Sequence, residues 1–285
     1  MTTSSDKIVV TGAAGKAGRA AVTELLEHGY DVTATDVSAA PAGLGAPFLR
    51  ADLTDHGQVV DVLDGADAVV HLANIPAPGL RPAARTLTDN TTMNAHVFLA
   101  ARTLGLRKVV WASSETTLGL AFGPETPPRY VPVDEDHYPH PESTYALSKV
   151  LSETMAAHIS AWSGIPFIGL RFSNIFTDED YRAVPTFQSD ATSRMWNLWG
   201  YIDVRDAAAS CRNALEAEAT GSVNVIIAND DTIMERPSAE LLAEVFPGVE
   251  IRGRLTGHET LLSNALARQV LGFEPRHSWR RGLSA

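Results

Sequence analysis

The sequence predicts an α/β fold, a doubly wound parallel sheet covered by helices on both faces, with a small α+β cap at its C-terminal end. Short, near-continuous apolar runs alternate with helical stretches as far as residue 172, at the spacing of βαβ units. Strands buried on both faces read in this way. The first run, "KIVVTG" (7–12), passes directly into "TGAAGKAG" (11–18), which sets three glycines at three-residue spacing before an amphipathic stretch. At 285 residues the chain is long enough to bury a sizeable core.

The elements follow in order. "YDVTATD" (30–36) and "PFLRAD" (47–52) are the second and third strand candidates, "ADAVVHLA" (66–73) the fourth and "RKVVWASS" (107–114) the fifth. "NAHVFLAARTLG" (94–105) predicts a helix between the last two. "STYALSKVLSETMAAHISAWSG" (143–164) predicts another, with Ser143 or Thr144 as N-cap and Gly164 beyond its end. "IPFIGLRF" (165–172) is the sixth strand. Beyond it, 177–200 reads as irregular loop, 201–217 as a helix after a short strand, and 221–229 as a strand. The remainder forms the cap and ends near "LGFEP".

Composition narrows the function. With 23 basic against 34 acidic residues the net charge is −11, which argues against nucleic acid or an anionic membrane as a partner. No apolar run approaches the roughly 18 residues of a membrane span. The single cysteine, Cys211, rules out an intrachain disulfide framework and fits a reducing cytoplasm. "MTTSSDK" reads as a short disordered lead-in, and the proline-rich 123–136 as an ordered surface loop. "DEDHYPHPE" (134–142) sets histidines three apart among acids, but its prolines favour a solvated loop, and no metal is expected. The aromatic run "MWNLWGY" (195–201) reads as packing rather than a sugar platform.

Three places carry chemistry. Gly12, Gly15 and Gly18 allow the backbone to approach a pyrophosphate, while the following helix offers free N–H groups and a partial positive charge. Asp36 ends the second strand, where an acid accepts hydrogen bonds from the adenosine ribose hydroxyls. A carboxylate there repels a 2′-phosphate and no arginine follows closely, so NAD is favoured over NADP. Asp52, after the third strand, suits either the adenine amine or ordinary turn chemistry.

The chain's only lysines are Lys7, Lys16, Lys108 and Lys149, and the last stands four residues after Tyr145, on the same helix face. Oxidising an alcohol needs a base for the hydroxyl proton, and a phenol of pKa about 10 is a poor one unless an ammonium favours its ionised form. Ser113 and Ser114 end the fifth strand, where open α/β sheets place their ligand crevice, and either hydroxyl can hold the substrate oxygen.

In this order the motifs resemble the extended short-chain dehydrogenase/reductase family, which includes NAD-dependent sugar epimerases, dehydratases and related dehydrogenases. The likeness spans most of the chain. It comprises "TGAAGKAG", "DL" (52–53), "HLA" (71–73), "ASSETTLG" (112–119), "YALSK" (145–149), "LRFSNIF" (170–176), "YIDVRDAA" (201–208) and "ARQVLGFEP" (267–275). The resemblance implies a Rossmann-type NAD-binding domain over 1–174, rejoined by 201–229, and a small substrate-binding region over 175–285. It implies NAD contacts from Gly12, Ala14, Gly15, Lys16, Ala17, Gly18, Asp36, Asp52, Leu53, Leu72, Ala73, Asn94, Tyr145 and Lys149. It further implies a catalytic trio of Ser114, Tyr145 and Lys149, with Lys149 also bonded to the nicotinamide ribose. Ser114 is preferred to Ser113 because Gly119 follows it by five residues, as in the family's pattern. Asn94, read as opening a helix and equally an N-cap, and Asn174 match positions near the active site.

"ASSETTLG" and "DEDYRAV" (178–184) are also similar to uronate dehydrogenases. That likeness implies that Arg182 pairs with a substrate carboxylate and that Glu115 and Thr116 contact hydroxyls. The chain departs from that group at Pro76 and at Glu115, which stands in place of an amide and would repel a uronate. Arg81 and Arg85, in the loop 74–90, are expected at the pocket entrance. The region after 172 is short for a nucleotide-diphosphate substrate, so a free aldose, a uronic acid or a polyol is expected. The resulting expectation is a cytoplasmic, homodimeric NAD-dependent oxidoreductase acting on a CH–OH group of a sugar or sugar acid. The alternatives are a sugar or nucleotide-sugar epimerase or dehydratase that retains its NAD, and a non-catalytic dinucleotide sensor.

Overall fold

Strand β1 (Lys7–Thr11) is followed by helix α1 (Lys16–Glu27), β2 (Asp31–Asp36), β3 (Phe48–Arg50), α2 (His56–Leu63), β4 (Ala68–His71), α3 (Ala83–Leu104) and β5 (Lys108–Ala112). The chain continues through β6 (Tyr130–Val131), α4 (Thr144–Ser163), β7 (Phe167–Phe172), β8 (Ile175–Phe176), α5 (Asp178–Tyr181), β9 (Ile202–Asp203), α6 (Val204–Glu216) and β10 (Ser222–Ile227). Helix α7 (Ser238–Val245), β11 (Glu250–Ile251), α8 (Ala265–Leu271) and α9 (Trp279–Gly282) complete it. This computed structural model describes residues 6–137 and 139–282; residues 1–5 of the lead-in expected at 1–7 lie outside them, and its last residue, Lys7, opens β1 instead.

Seven strands form one parallel sheet in the order β10-β7-β5-β4-β1-β2-β3. The chain moves outward from β1 to β3 and then returns to β4, so the order reverses between β1 and β4. A Rossmann-type sheet opens its ligand crevice at that reversal, beyond the carboxyl ends of the strands. Successive residues of a strand face opposite layers. Val10 packs with Ala21 and Leu25 of α1 and Ala207 and Ala214 of α6, whereas Val9 packs with Val59 of α2, Phe98 of α3 and Ile159 of α4. A third apolar cluster belongs to the cap, where Leu118, Trp199, Tyr201, Leu241, Phe246 and Trp279 are among the buried members.

Helix α4 matches its sequence signals. The Ser143 hydroxyl accepts from Ala146 N at 3.1 Å, and Gly164 ends the helix with φ 74°. Helix α3 differs, starting at Ala83 rather than at 94. Its first half hides from an apolar pattern because Thr86, Asn90 and Asn94, four apart on one face, are buried polar residues. The expected irregular loop 177–200 contains α5, closed by a Thr177/Asp180 capping box, and two 3₁₀ turns. The loop 123–136 is ordered but is not merely a surface feature: β6 pairs with β11, and Tyr130, Val131 and Val133 are buried. His137, expected in a solvated loop, is buried as well, donating through Nδ1 to Leu118 O at 2.7 Å while Nε2 accepts from Arg129 N.

One buried ion pair joins α4 to the sheet. Arg171 on β7 donates to both oxygens of Glu153, at 2.8 and 2.9 Å, and the Ser113 hydroxyl donates to the same carboxylate at 2.6 Å. Removing one partner strands the other charge. Arg171→Met is expected to lower the unfolding free energy by about 3–5 kcal/mol, and adding Glu153→Leu to restore part of the loss. Urea denaturation of the two variants checks this.

Candidate active site

A cavity of about 1110 Å³ lies at the crevice. It exceeds the ordinary range of small-ligand pockets, roughly 300–1,000 Å³, and so has room for a dinucleotide beside a small second molecule. Gly12, Gly15, Lys16, Ala17, Gly18, Asp36, Asp52, Leu53, Leu72 and Ala73 line one end. Gly12 has φ 69°, and a Cβ there would stand 2.6 Å from Ala73 N. At Gly18 a Cβ would run into the Gly12 carbonyl, which is why the helix can lie so close to the strand. Helix α1 follows Gly15 as N-cap, with no side-chain cap and no acid in its first turn, which leaves its leading N–H groups for an anion. Asp36 pins this loop, accepting from Ala14 N at 3.1 Å and from Ser38 N at 2.9 Å. Asp52 forms an Asx turn with Thr54 at the cavity edge. The donors of α1 and the acceptor of Asp36 fit the pyrophosphate and ribose of a dinucleotide. Lys16 spends its ammonium on Ile175 O and on Asp180 at 3.2 Å, tying the loop to the cap.

At the other end, α4 carries Tyr145 and Lys149 beneath the end of β5. Both are buried, and Lys149 is only 1% exposed. The Lys149 ammonium donates to Ala112 O at 2.6 Å and lies 5.6 Å from the centre of the Tyr145 ring. Ser114 Oγ accepts from Thr116 N at 3.2 Å and from Thr116 Oγ1 at 2.9 Å. Its hydroxyl lies close enough to the Tyr145 phenol to favour the ionised form. Ser113, the rival, is engaged by Glu153. Burial pushes the Tyr145 phenol up to about 12, with nearby Ser114 drawing it back and the Glu115 charge adding to the rise. Burial also brings Lys149 down to about 7, against the pull of Glu153. The phenol is therefore not held below its usual range, as its neighbouring ammonium led us to expect. Both groups are out of water, and desolvation is the largest influence on each.

Asn94 does not line the cavity and does not open a helix. It lies within α3, where its Oδ1 accepts from His71 Nε2 at 2.8 Å and its Nδ2 donates to Ser152 Oγ at 2.7 Å. An amide oxygen only accepts, so His71 carries its proton on Nε2 and takes the Thr11 hydroxyl on Nδ1 at 2.7 Å. Burial holds His71 neutral, down at about 3. Thr11 Oγ1 in turn accepts from Leu72 N and Ala73 N, each at 3.2 Å, which fixes the backbone facing Gly12. Asn94 thus supports the cavity wall from behind.

Glu115, Thr116 and Asn174 do line the cavity, together with Ser173 and Trp196. Asn174 Oδ1 accepts from Arg194 Nη2 at 3.2 Å, and Glu115 accepts from Asn197 at 3.2 Å. Burial raises Glu115 to about 7, opposed by Ser173, Asn197 and Arg194. Arg182 is not brought to this group: it sits exposed at the end of α5, outside the cavity. Ser173, Arg194 and Asn197 were missed by sequence reasoning. Ser173 borders the quoted "LRFSN" stretch, but Arg194 and Asn197 lie in 177–200, where no periodicity marks a position. Arg81 and Arg85 are at the cavity wall as expected, Arg85 paired with Asp89 at 2.9 Å.

Known proteins resemble this chain in sequence and in fold. An L-arabinose 1-dehydrogenase (NAD(P)(+)) from Haloferax volcanii is 28% identical over 235 residues, covering 79% of this chain and 89% of that protein. A uronate dehydrogenase from Pseudomonas syringae pv. tomato is 27% identical over 179 residues, covering 62% of each chain. A short-chain dehydrogenase/reductase superfamily protein from Agrobacterium tumefaciens, solved with bound NAD, superposes with a TM-score of 0.73 at 26% identity, covering 98% of this chain and 95% of that one. The model of the NAD dependent epimerase/dehydratase family matches residues 8–227, from the first strand of the sheet to the last, and the chain belongs to that family of NAD-dependent enzymes.

Proposed function

We propose that this protein is an NAD-dependent oxidoreductase that oxidises a CH–OH group of a sugar or sugar-like alcohol, with Ser114, Tyr145 and Lys149 as its catalytic residues. The observation that carries this reading is the meeting of Ser114, Tyr145 and Lys149 in the cavity whose far end is built for a dinucleotide. NAD, when bound, supplies the hydride acceptor. Gly12, the N–H groups opening α1 and Asp36 hold it, and the steric limits at Gly12 and Gly18 support that assignment. Ser114 positions the substrate oxygen, since two donations from Thr116 occupy its own oxygen and leave its proton to be donated. Tyr145 takes the hydroxyl proton, and Lys149 supplies the charge that makes a buried phenolate tolerable.

The pair works as a unit. Neither an isolated phenolate nor an isolated ammonium is favourable in this site, but the two charges together offset one another. Between about 7 and about 12 the two groups hold one proton fewer than when both are protonated, and it can move between them at no cost in net charge. Below about 7 a second proton is held and blocks the base.

Net oxidation and redox-neutral isomerisation use the same trio, and they differ in whether reduced cofactor is released. The small cap favours oxidation of a free sugar. We also place the protein in the cytoplasm, a reading supported by its single cysteine, buried as a free thiol. A homodimer through α3 and α4 is supported by Leu99, Leu147 and Leu151, which these helices expose at 38%, 36% and 40%. No helix among the described residues is long and apolar enough to cross a membrane.

Incubation with NAD and a panel of aldoses, polyols, uronates and nucleotide sugars is expected to give NADH with a free sugar; isomerised sugar without NADH would transfer the assignment to an epimerase. Tyr145→Phe is expected to lower kcat/KM by about 10²–10⁴ with NAD binding retained, checked by steady-state kinetics and calorimetry. The log kcat/KM profile is expected to rise with pH up to about 7 and to stay level above it. Because Glu115 also titrates near 7, the same rise must survive in Glu115→Gln if it belongs to the Tyr145/Lys149 pair. Leu151→Glu is expected to convert the dimer to a monomer in light-scattering measurements.

A further inference from the structure

A second cavity, of about 680 Å³, lies against α5 and shares no lining residue with the first. Its volume is within the ordinary range for a small-ligand pocket, roughly 300–1,000 Å³. Tyr181 of α5, the nearby Val184 and Pro185, and Trp279 of α9 supply its apolar lining.

The charged lining divides by what the chain already matches. Asp203 is buried and fully engaged: Arg205 donates to both of its oxygens at 2.8 Å, and the Tyr181 hydroxyl donates at 2.9 Å. That pair brings no net charge. Arg276 is different, because its guanidinium makes no hydrogen bond or ion pair with any described residue. The backbone that carries it is nevertheless fixed. Arg276 N and His277 N donate to Asp206 Oδ2 at 3.0 and 2.8 Å, and His277 Nδ1 donates to Asp206 Oδ1 at 2.8 Å. Asp206 is itself buried in α6. Arg281 stands at the same wall and donates through Nη1 to Arg276 O at 2.9 Å.

A guanidinium on a held backbone, beside an apolar lining, suits a carboxylate attached to an apolar body, since little ordering is left to be done on binding. Two acids, Asp178 and Glu235, also line the cavity, and neither forms an ion pair with Arg276 or Arg281. Their charges disfavour a ligand that carries several negative groups. We propose that this cavity is a second binding site, separate from the catalytic one, for a small organic monocarboxylate with an apolar body, held by Arg276 with Arg281 beside it.

The test is calorimetry on the full chain saturated with NAD. The probes are phenylacetate, naphthoate and octanoate, each compared with its neutral amide, and citrate as the polyanion. At least one carboxylate is expected to bind at least about tenfold more tightly than its amide, the scale of a charge-assisted bond to an arginine. Arg276→Gln is expected to remove that advantage. Pro185→Trp, a change at an exposed lining residue, is expected to fill the cavity and weaken acid and amide alike by at least about tenfold. NAD affinity is expected to be unchanged in both variants, which confirms their fold. The proposal is overturned if no carboxylate binds, if acid and amide bind equally, or if citrate binds as tightly as the monocarboxylates. It is also overturned if a folded Arg276→Gln keeps the preference for the acid, or if a folded Pro185→Trp keeps wild-type affinity. Should Pro185→Trp not fold, Arg276→Gln decides, because its side chain is exposed and holds nothing else in place. No turnover is measured, so the outcome stands apart from the oxidoreductase reading.

Discussion

A lysine ammonium shut away from water beneath the end of β5 is the constraint around which this site is arranged. Lys149 has one carbonyl partner, Ala112 O, and the nearby carboxylate of Glu153 is already matched by Arg171. Its charge is best balanced by a phenolate one helical turn away, which is what the proposed proton transfer creates. Burial opposes charging either group alone and so couples them. The layer of Ser113, Glu153 and Arg171 beneath them sets a matched ion pair beside Lys149.

Topology brings the two ends of the site together. Glycine loop and Ser114 stand more than ninety residues apart, yet the return of the chain from β3 to β4 places both at one sheet edge. The wall between them is held by a relay of single hydrogen bonds, from Ser152 through Asn94, His71 and Thr11 to the amides of Leu72 and Ala73. Few lysines are present, and three have defined internal partners. Lys149 serves the site, Lys16 ties the loop to the cap, and Lys108 donates to the last carbonyls of α6, among them Leu215 O and Ala217 O at 2.6 Å. The last arrangement places a cation on the negative end of a helix dipole.

The cap has its own apolar core, and that core aims its polar residues. Trp199 and Tyr201 are fully buried and anchor the segment that presents Trp196 to the cavity and holds Arg194 and Asn197 against Asn174 and Glu115. "MWNLWGY" was read as packing, and for its last two aromatic residues that is its position; Trp196 instead lines the cavity. The substrate end is thus assembled from three separate stretches around 115, 173 and 196, each contributing one or two polar groups.

What could be read from the chain alone was whatever is local. Strand runs, the glycine turn, the caps of α4 and the four-residue interval from Tyr145 to Lys149 depend on backbone geometry within a few residues, and they stand where the sequence placed them. The polar half of α3 was not legible, because Thr86, Asn90 and Asn94 satisfy a buried face with hydrogen bonds rather than apolar contact. Tertiary structure alone decided which of two adjacent serines meets the phenol, that Arg182 faces solvent while Arg194 turns inward, and that Tyr145 and Lys149 are both displaced from their ordinary pKa values. Each of those depends on water exclusion and on partners distant in sequence, quantities that no short stretch of the chain contains.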